Sequence, residues 1–280
     1  ITEEITFKTK PGNNWQWATG VSGFYQWLHT TGPVQFGQEG VRSVIEDNAN
    51  EQFENITAGN PRAPKMHMNI NNQGLAVGGS FDTPILNGAI FHQSTFNNIS
   101  ENSITLILGC VYLFIKGLSA TVGLRLDYEK LKMDYNSVSD PLNFDFSITM
   151  PGAPKPFLTC EGLEGNASFI GKESTDYLQL LPKFALQYEW KKENSFYTTV
   201  SKGYRSGGYN IQMFSDLAKG GLMNSAIEAL AADPKLSAMA ATIESQKKEL
   251  PQVSKATQYK PEYSWNYELG SHLTLWEGKL

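Results

Sequence analysis

The stretch Leu178–Trp190, LQLLPKFALQYEW, sets Leu178, Leu180, Phe184, Leu186, Tyr188 and Trp190 on one side of an extended chain and Gln179, Lys183, Gln187 and Glu189 on the other, with Pro182 filling the gap in the apolar row. Successive strand side chains point to opposite faces, so one face of this segment avoids water and the other seeks it. Three more segments alternate in the same way. Leu118, Ala120, Val122, Leu124, Leu126 and Tyr128 oppose Ser119, Thr121, Arg125, Asp127 and Glu129. Trp15, Trp17, Val21, Tyr25 and Trp27 oppose Gln16, Ser22 and Gln26. Tyr263, Trp265, Tyr267, Leu269, Leu273 and Leu275 line one face of a last strand that reaches a turn at Glu277-Gly278.

Outward from these strands the chain divides into short and long connections. Thr2–Lys8 reads as a first strand, reversed by Pro11-Gly12-Asn13-Asn14 before the strand that begins at Trp15. Thr30–Thr83 is a polar stretch rich in Asn, Gly and Gln, with Pro33, Pro61 and Pro64, and a connection of that length implies a functional loop. Pro84–Asn98 reads as a further strand. Lys130–Asp176 reads as a second long loop holding a short strand at Phe144–Met150 and a turn at Pro151-Gly152-Ala153-Pro154. Residues 177–190 then pair with 195–210 across Lys192-Glu193-Asn194. A third long connection runs to about Pro261 and carries helices: Ser225 with Glu228 has the spacing of a capping box, and Asp233-Pro234 supplies an N-cap and N1 proline ahead of Leu236, Met239 and Ile243. The apolar run Ile104–Ile115 has no clear phase, which leaves open whether it is an extra strand and so the up or down sense of the strands before it.

Composition narrows the function classes. The chain has 280 residues, a net charge of −5 and no long basic run, so its field repels nucleic-acid phosphates. Its longest apolar run, 12 residues at 104–115, falls short of the roughly 20 a membrane-crossing helix needs. Starting on Ile1 and breaking off at Leu280 just after a turn, the chain reads as an internal piece of a longer protein. Cys110 and Cys160 form no CxxC pair; one disulfide is compatible with the count, and burial as free thiols is favoured because Cys110 sits in an apolar run. His29, His67, His92 and His272 are scattered, and no HExxH, GxSxG, P-loop or GxGxxG occurs, so we expect no enzyme and no cofactor. Met66-His67-Met68 suggests a soft metal ligand set, but one triplet cannot saturate a metal and solvation of the histidine is favoured.

Alternation alone leaves two all-β architectures open, a soluble sandwich and an antiparallel transmembrane β-barrel. Three features favour the barrel. Aromatics gather near strand ends: Trp15 and Trp17, Trp190 and Phe196, Tyr263 and Trp265, and Trp276. Turns of about three or four residues alternate with connections of about forty to fifty, as short periplasmic turns alternate with long extracellular loops. The polar faces carry Arg125, Asp127, Glu129, Lys183, Glu189 and Arg205, charges a lumen or plug can hydrate and pair. On this view lipid touches Val122, Leu124, Leu126, Phe184, Leu186, Tyr188, Tyr267 and Leu269, and Trp15, Trp17, Trp190, Trp265 and Trp276 mark the interfaces.

Residues 197–210, YTTVSKGYRSGGYN, resemble the late-barrel signature of TonB-dependent outer-membrane receptors. In family order around it, LPKFAL at 181–186, GLRLDYE at 123–129 and YKPEYSWNYELG at 259–270 resemble three more barrel strands, while the first hundred residues match in texture only. The resemblance implies a bacterial outer-membrane barrel, 22-stranded and closed by an N-terminal plug. It implies import of iron-siderophore complexes, haem, cobalamin or glycans with energy from the TonB complex, an iron-siderophore complex being the favoured cargo. The chain then corresponds over 1–280 to part of the barrel domain, without the plug, and its about seven or eight strand candidates, too few to close such a barrel, leave two strand edges open. TonB would be met through the missing N-terminal region, and a surface lipoprotein is a further partner should the cargo be a glycan. Arg125, Asp127, Glu129, Arg205 and Tyr209 are candidate ligand contacts at lumen or rim, competing with a purely wall-shaping role. Gly203, Gly207 and Gly208 permit close backbone approach or a bend, and Lys202 falls on the apolar face, where either a bulge or snorkelling must accommodate it. The transport reading puts loops 30–83, 136–176 and 212–260 outside; a soluble β-rich binding module and a passive porin are the alternatives.

Overall fold

The structure, a computed structural model, describes every residue except 33, 61, 98–116, 192–193 and 275–280. Cys110, the run Ile104–Ile115, Leu275, Trp276 and the turn at Glu277-Gly278 lie outside the described residues, as do Pro33, Pro61, Asn98, Lys192 and Glu193.

The alternating segments form strands, beginning with β1 (Thr2–Lys8) and β2 (Trp15–Gln26), between which Gly12 takes the left-handed φ of +95° that the reversal requires. The polar stretch after β2 is folded rather than structureless. It contains β3 (His29–Thr31), β4 (Val34–Gly37), α1 (Gln38–Val41) running through a π turn into α2 (Asp47–Thr57), β5 (Lys65–Ile70) and β6 (Gly74–Asp82). Then come β7 (Ile85–Phe96), β8 (Leu118–Ser139), β9 (Leu142–Thr149), β10 (Leu158–Gly165), β11 (Ser168–Lys191) and β12 (Asn194–Arg205). The last connection holds β13 (Gly208–Tyr209), α3 (Phe214–Ala232), α4 (Ala240–Glu244), α5 (Val253–Thr257) and β14 (Gln258–Tyr259) before β15 (Glu262–His272).

One antiparallel sheet runs β1-β2-β7-β8-β11-β12-β15, and among the described residues it does not close on itself. β7 and β8 are direct neighbours, in register from Ile85↔Leu131 to Phe96↔Ala120, so β7 descends, β8 ascends and the direction of every wall strand follows without an intervening strand. The link 9–14 then lies at the same end of the wall as Phe96 of β7, Leu118 of β8, Lys191 of β11 and Asn194 of β12.

β8 and β11 correct the expectation of a loop over Lys130–Asp176. They are 22 and 24 residues long and stay paired from Leu118↔Tyr188 to Ser168↔Val138. About ten residues suffice to cross a bilayer at a tilt, so each strand is twice the required length. Up to Tyr128 and down to Leu178 the even-numbered, outward face is apolar; directly beyond that level it carries Lys130, Lys132, Asp134 and Asn136 on one strand and Lys172, Ser174 and Asp176 on the other, before Val138 and Ile170 return exposed apolar side chains to it. On β8 the apolar phase inverts, with Leu131 and Met133 fully buried on the opposite face, whereas that face of β11 is mixed, Phe169 and Tyr177 sharing it with Glu173 and Thr175. The outward apolar row ends at one register level, since Tyr128 pairs with Leu178 and Lys130 with Asp176.

Above that level the long connections build a folded module. β10-β9-β5 form a second sheet, and Phe144, Phe146, Ile148, Met68 and Ile70 pack with Val41, Ile45 and Ala49 of the first helical stretch and Ala218, Leu222, Ala226 and Leu230 of α3. The short strand expected at Phe144–Met150 is β9. Ser225 does not cap a helix: it lies inside α3, where its hydroxyl accepts from the Asn166 amide at 3.0 Å. Asp233 does act as an N-cap, accepting from the Lys235 amide at 2.8 Å above Pro234, although the turn it starts is 3₁₀ before α4. Cys160 is a free thiol in the module core, held well above its ordinary range at about 11 by burial and then by Asp233 beside it.

Candidate functional site

The wall presents two chemically opposed faces. Outward, Ile5, Val21, Ile90, Leu126 and Leu180 share one row, and Val122, Phe184, Val200 and Tyr267 another. Leu124 is 50% exposed, Leu186 49% and Leu269 86%, which excludes the alternative of a sandwich core enclosing these three leucines. Aromatics bound this band. Trp15 stacks on Phe96 at 6.4 Å and Trp190 on Phe196 at 4.7 Å toward the short-turn end, with Trp17 half-buried one outward position above Trp15. Tyr25, Trp27, Tyr128 and Trp265 lie toward the other end. At about 3.3 Å per residue, Trp15 to Tyr25 is about 33 Å along the strand, or about 25 Å of height at a tilt near 40°, the thickness of an outer-membrane apolar band. The band has a polar interruption, a chain in which Thr19 meets His92 at 2.6 Å, His92 meets Ser94 at 3.0 Å and the Trp15 indole donates to Ser94 at 3.2 Å.

The inward face carries the charges, because Arg125, Asp127 and Glu129 alternate with the outward leucines of β8. Arg125 Nε donates to Asp127 Oδ1 at 2.7 Å, its Nη2 reaches Ser22 Oγ at 3.3 Å, and the guanidinium carbon lies 5.9 Å from the centre of the Phe91 ring. Asp127, Glu129 and Gln179 are buried, and Glu129 Oε2 and Gln179 Nε2 have no hydrogen-bond partner among the described residues. Buried polar atoms are costly to leave unpaired, so ordered water or a bound group would be stabilised at these two positions.

A strap covers it. β11 and β12 stop pairing at Lys183↔Ser201, yet β12 and β15 stay together to Arg205↔Glu262 and β13–β14 extend the ribbon. Tyr204 and Tyr263 have outward parity, but the Asn87 amide donates to the Tyr204 hydroxyl at 3.2 Å and Tyr263 donates to Gln179, both partners being on the inward face. The ribbon has therefore left the wall and folded across its polar side. Higher up, Gln258 Nε2 donates to Thr175 Oγ1 at 3.0 Å and to the Tyr177 hydroxyl at 2.9 Å. Gly207 is needed there: a Cβ would stand 2.7 Å from the Tyr259 carbonyl oxygen. Lys202 needs no bulge, since the register is continuous through it and its ammonium sits 4.4 Å over the Tyr263 ring.

Of the sequence candidates, Arg125, Asp127 and Glu129 are thus brought together on one face. Arg205 is exposed at the end of β12, and Tyr209 is separate from the triad, packed against the cluster of Phe81, Met133, Phe214 and Leu217 near Tyr177 and Glu173, with its phenol pushed up to about 12 by burial and those neighbours. The sequence pattern marks none of Asn87, Tyr204 and Gln258; it places Gln179 on the polar face, as found, and Tyr263 on the apolar face, which the hydrogen bond to Gln179 corrects. Met66 and Met68 point into the module, whereas His67 is exposed on the opposite side of β5, so that triplet does not converge. Among the described residues no group of His, Cys, Asp and Glu is placed to hold a metal ion.

A wall with an apolar outer band, a charged inner face and a folded module above it is the arrangement of a transport barrel. A family model described as "TonB dependent receptor-like, beta-barrel" matches residues 2–279. The chain belongs to this family. No curated protein and no solved structure matches it. TonB-dependent receptor barrels reside in the bacterial outer membrane, take up small ligands with energy delivered through TonB, and are transporters rather than enzymes.

Proposed function

We propose that this TonB-dependent receptor barrel imports an iron-siderophore complex, its long-loop module facing the outside and its outward leucines and aromatics facing lipid. The observation that carries the orientation is the end of the outward apolar row at one level in β8 and β11, where Lys130 pairs with Asp176. Below it Val122, Leu124, Leu126, Phe184, Leu186, Tyr188, Tyr267 and Leu269 meet acyl chains, with Trp15, Trp17, Trp190 and Trp265 in the interfacial belts; above it Lys130, Lys132 and Asp134 meet water. In this reading Arg125, Asp127 and Glu129 face the solute path, Arg205 stands at its rim, and Tyr209 holds the strap from above. The covered inner face favours gated uptake over a passive pore. Iron as cargo is supported by the similarity of the KGYRSGGYN segment to iron receptors, and the free strand edges of β1 and β15 are expected to pair with further barrel strands.

The test is uptake of radioiron presented as a panel of catecholate, hydroxamate and mixed siderophores to cells with the complete receptor, with it deleted, and with TonB removed. Receptor- and TonB-dependent accumulation of one member supports the proposal. Equal iron uptake in all three strains, with receptor-dependent uptake of a glycan that needs a surface lipoprotein, would replace the cargo.

A further inference from the structure

We infer that the loop module contains a binding pocket for a small aromatic ring with one hydrogen-bonding edge, of the phenol or indole class. The pocket lies between α2, α3, α4, β5 and β9, away from the charged inner face of the wall. Its floor is Met68, Phe146, Ala226 and Leu230, all buried, and its mouth is Gln52, Ile56, Met239, Thr242 and Gln246, all exposed.

Three properties of the lining select that ligand. The volume is about 170 Å³, close to that of an engineered apolar cavity of about 150 Å³ that takes benzene, so one ring fits. Phe53 and Phe146 meet edge-on at 5.6 Å and 67°, and four methionines, Met66, Met68, Met223 and Met239, complete the wall; thioethers favour aromatic partners and adapt their shape to a guest. The polar side chains are confined to the mouth, where the amides of Gln52 and Gln246 and the hydroxyl of Thr242 can meet an N–H or O–H on the ring edge. Ile56 and Met239, 58% and 43% exposed beside them, form an apolar lip that water alone does not favour.

The seven methionines of the chain provide the test. Four line the pocket, while Met133 is buried in the second cluster and Met150 and Met213 lie elsewhere. The receptor, labelled with ¹³C at the methionine methyls and held in nanodiscs, is titrated with indole. The expected result is saturable shifts of Met66, Met68, Met223 and Met239 with Met133, Met150 and Met213 unmoved. Met239→Glu, at the exposed mouth, should weaken the apparent affinity by about tenfold or more while the other methionine resonances keep their positions. Shifts of all seven in parallel, no shift up to the solubility of indole, or an affinity unchanged by Met239→Glu would each overturn the assignment.

Discussion

At the scale of single residues, exposure and pairing assign opposite roles to neighbours in one strand. Leu124 projects from the apolar band and Arg125 from the face opposite it, bonded to Asp127. Leu124→Arg should therefore cost about 2–4 kcal/mol if it lies near mid-membrane, and urea unfolding of the receptor in lipid vesicles measures it. A loss below about 0.5 kcal/mol would place Leu124 near water instead. Cys160 makes a second prediction. Its folded-state thiol titrates at about 11 against an ordinary 9.0, so the folded chain keeps the proton longer than the unfolded chain does. The stabilisation is complete below pH 9 and is lost as pH rises through about 11, so wild type should lose stability relative to Cys160→Ala across that window. Alkylation of the native protein at neutral pH should be slow, because the thiolate is the reactive form and the sulfur is buried.

At the scale of elements, the strap and the inward glycines show what cross-strand neighbours decide. Phe91 lies over Gly20, its partner in register, and Tyr197 over Gly270; a Cβ at either glycine would stand within about 2.5 Å of the ring, so aromatic and glycine are fitted to each other across the strands. Beyond Ser201, where β12 leaves its ladder to β11, the ribbon of β12, β13, β14 and β15 is held to the wall by hydrogen bonds to Asn87, Gln179, Thr175 and Tyr177. Each such bond is worth about 1 kcal/mol. Tyr204→Phe with Tyr263→Phe should speed amide exchange in 204–209 and 258–263 by about tenfold while β9 and α3 keep their protection, as read by hydrogen-exchange mass spectrometry. Gly207→Ala should act in the same direction through its clash with Tyr259. Unchanged exchange in both variants would mean that the strap is held by other contacts.

At the scale of the whole molecule, two apolar surfaces differ: the wall leaves its apolar side exposed, and the module encloses its own between helices and sheet. A fluorophore on a cysteine at Leu124, Leu180 or Leu269 should be quenched by brominated acyl chains, and one at Lys132 or Asp134 should not; equal quenching would remove the membrane boundary from the level between Tyr128 and Lys130. The sequence by itself determined the parity of the wall strands, the segregation of charged from apolar faces and the resemblance to transport barrels, because a period of two is a local property of the chain. It also held the upper half of β8, though in inverted phase: Leu131 and Met133 continue the alternation on the other face, so a search for one unbroken apolar row ends at Lys130. Only the tertiary structure decided that the polar stretch before β7 folds with α3 into one core, that Tyr204 and Tyr263 turn inward despite their parity, and that four separated methionines line one pocket. Those outcomes depend on where the ribbon leaves the wall and on contacts between residues far apart in the chain, and neither composition nor spacing records them.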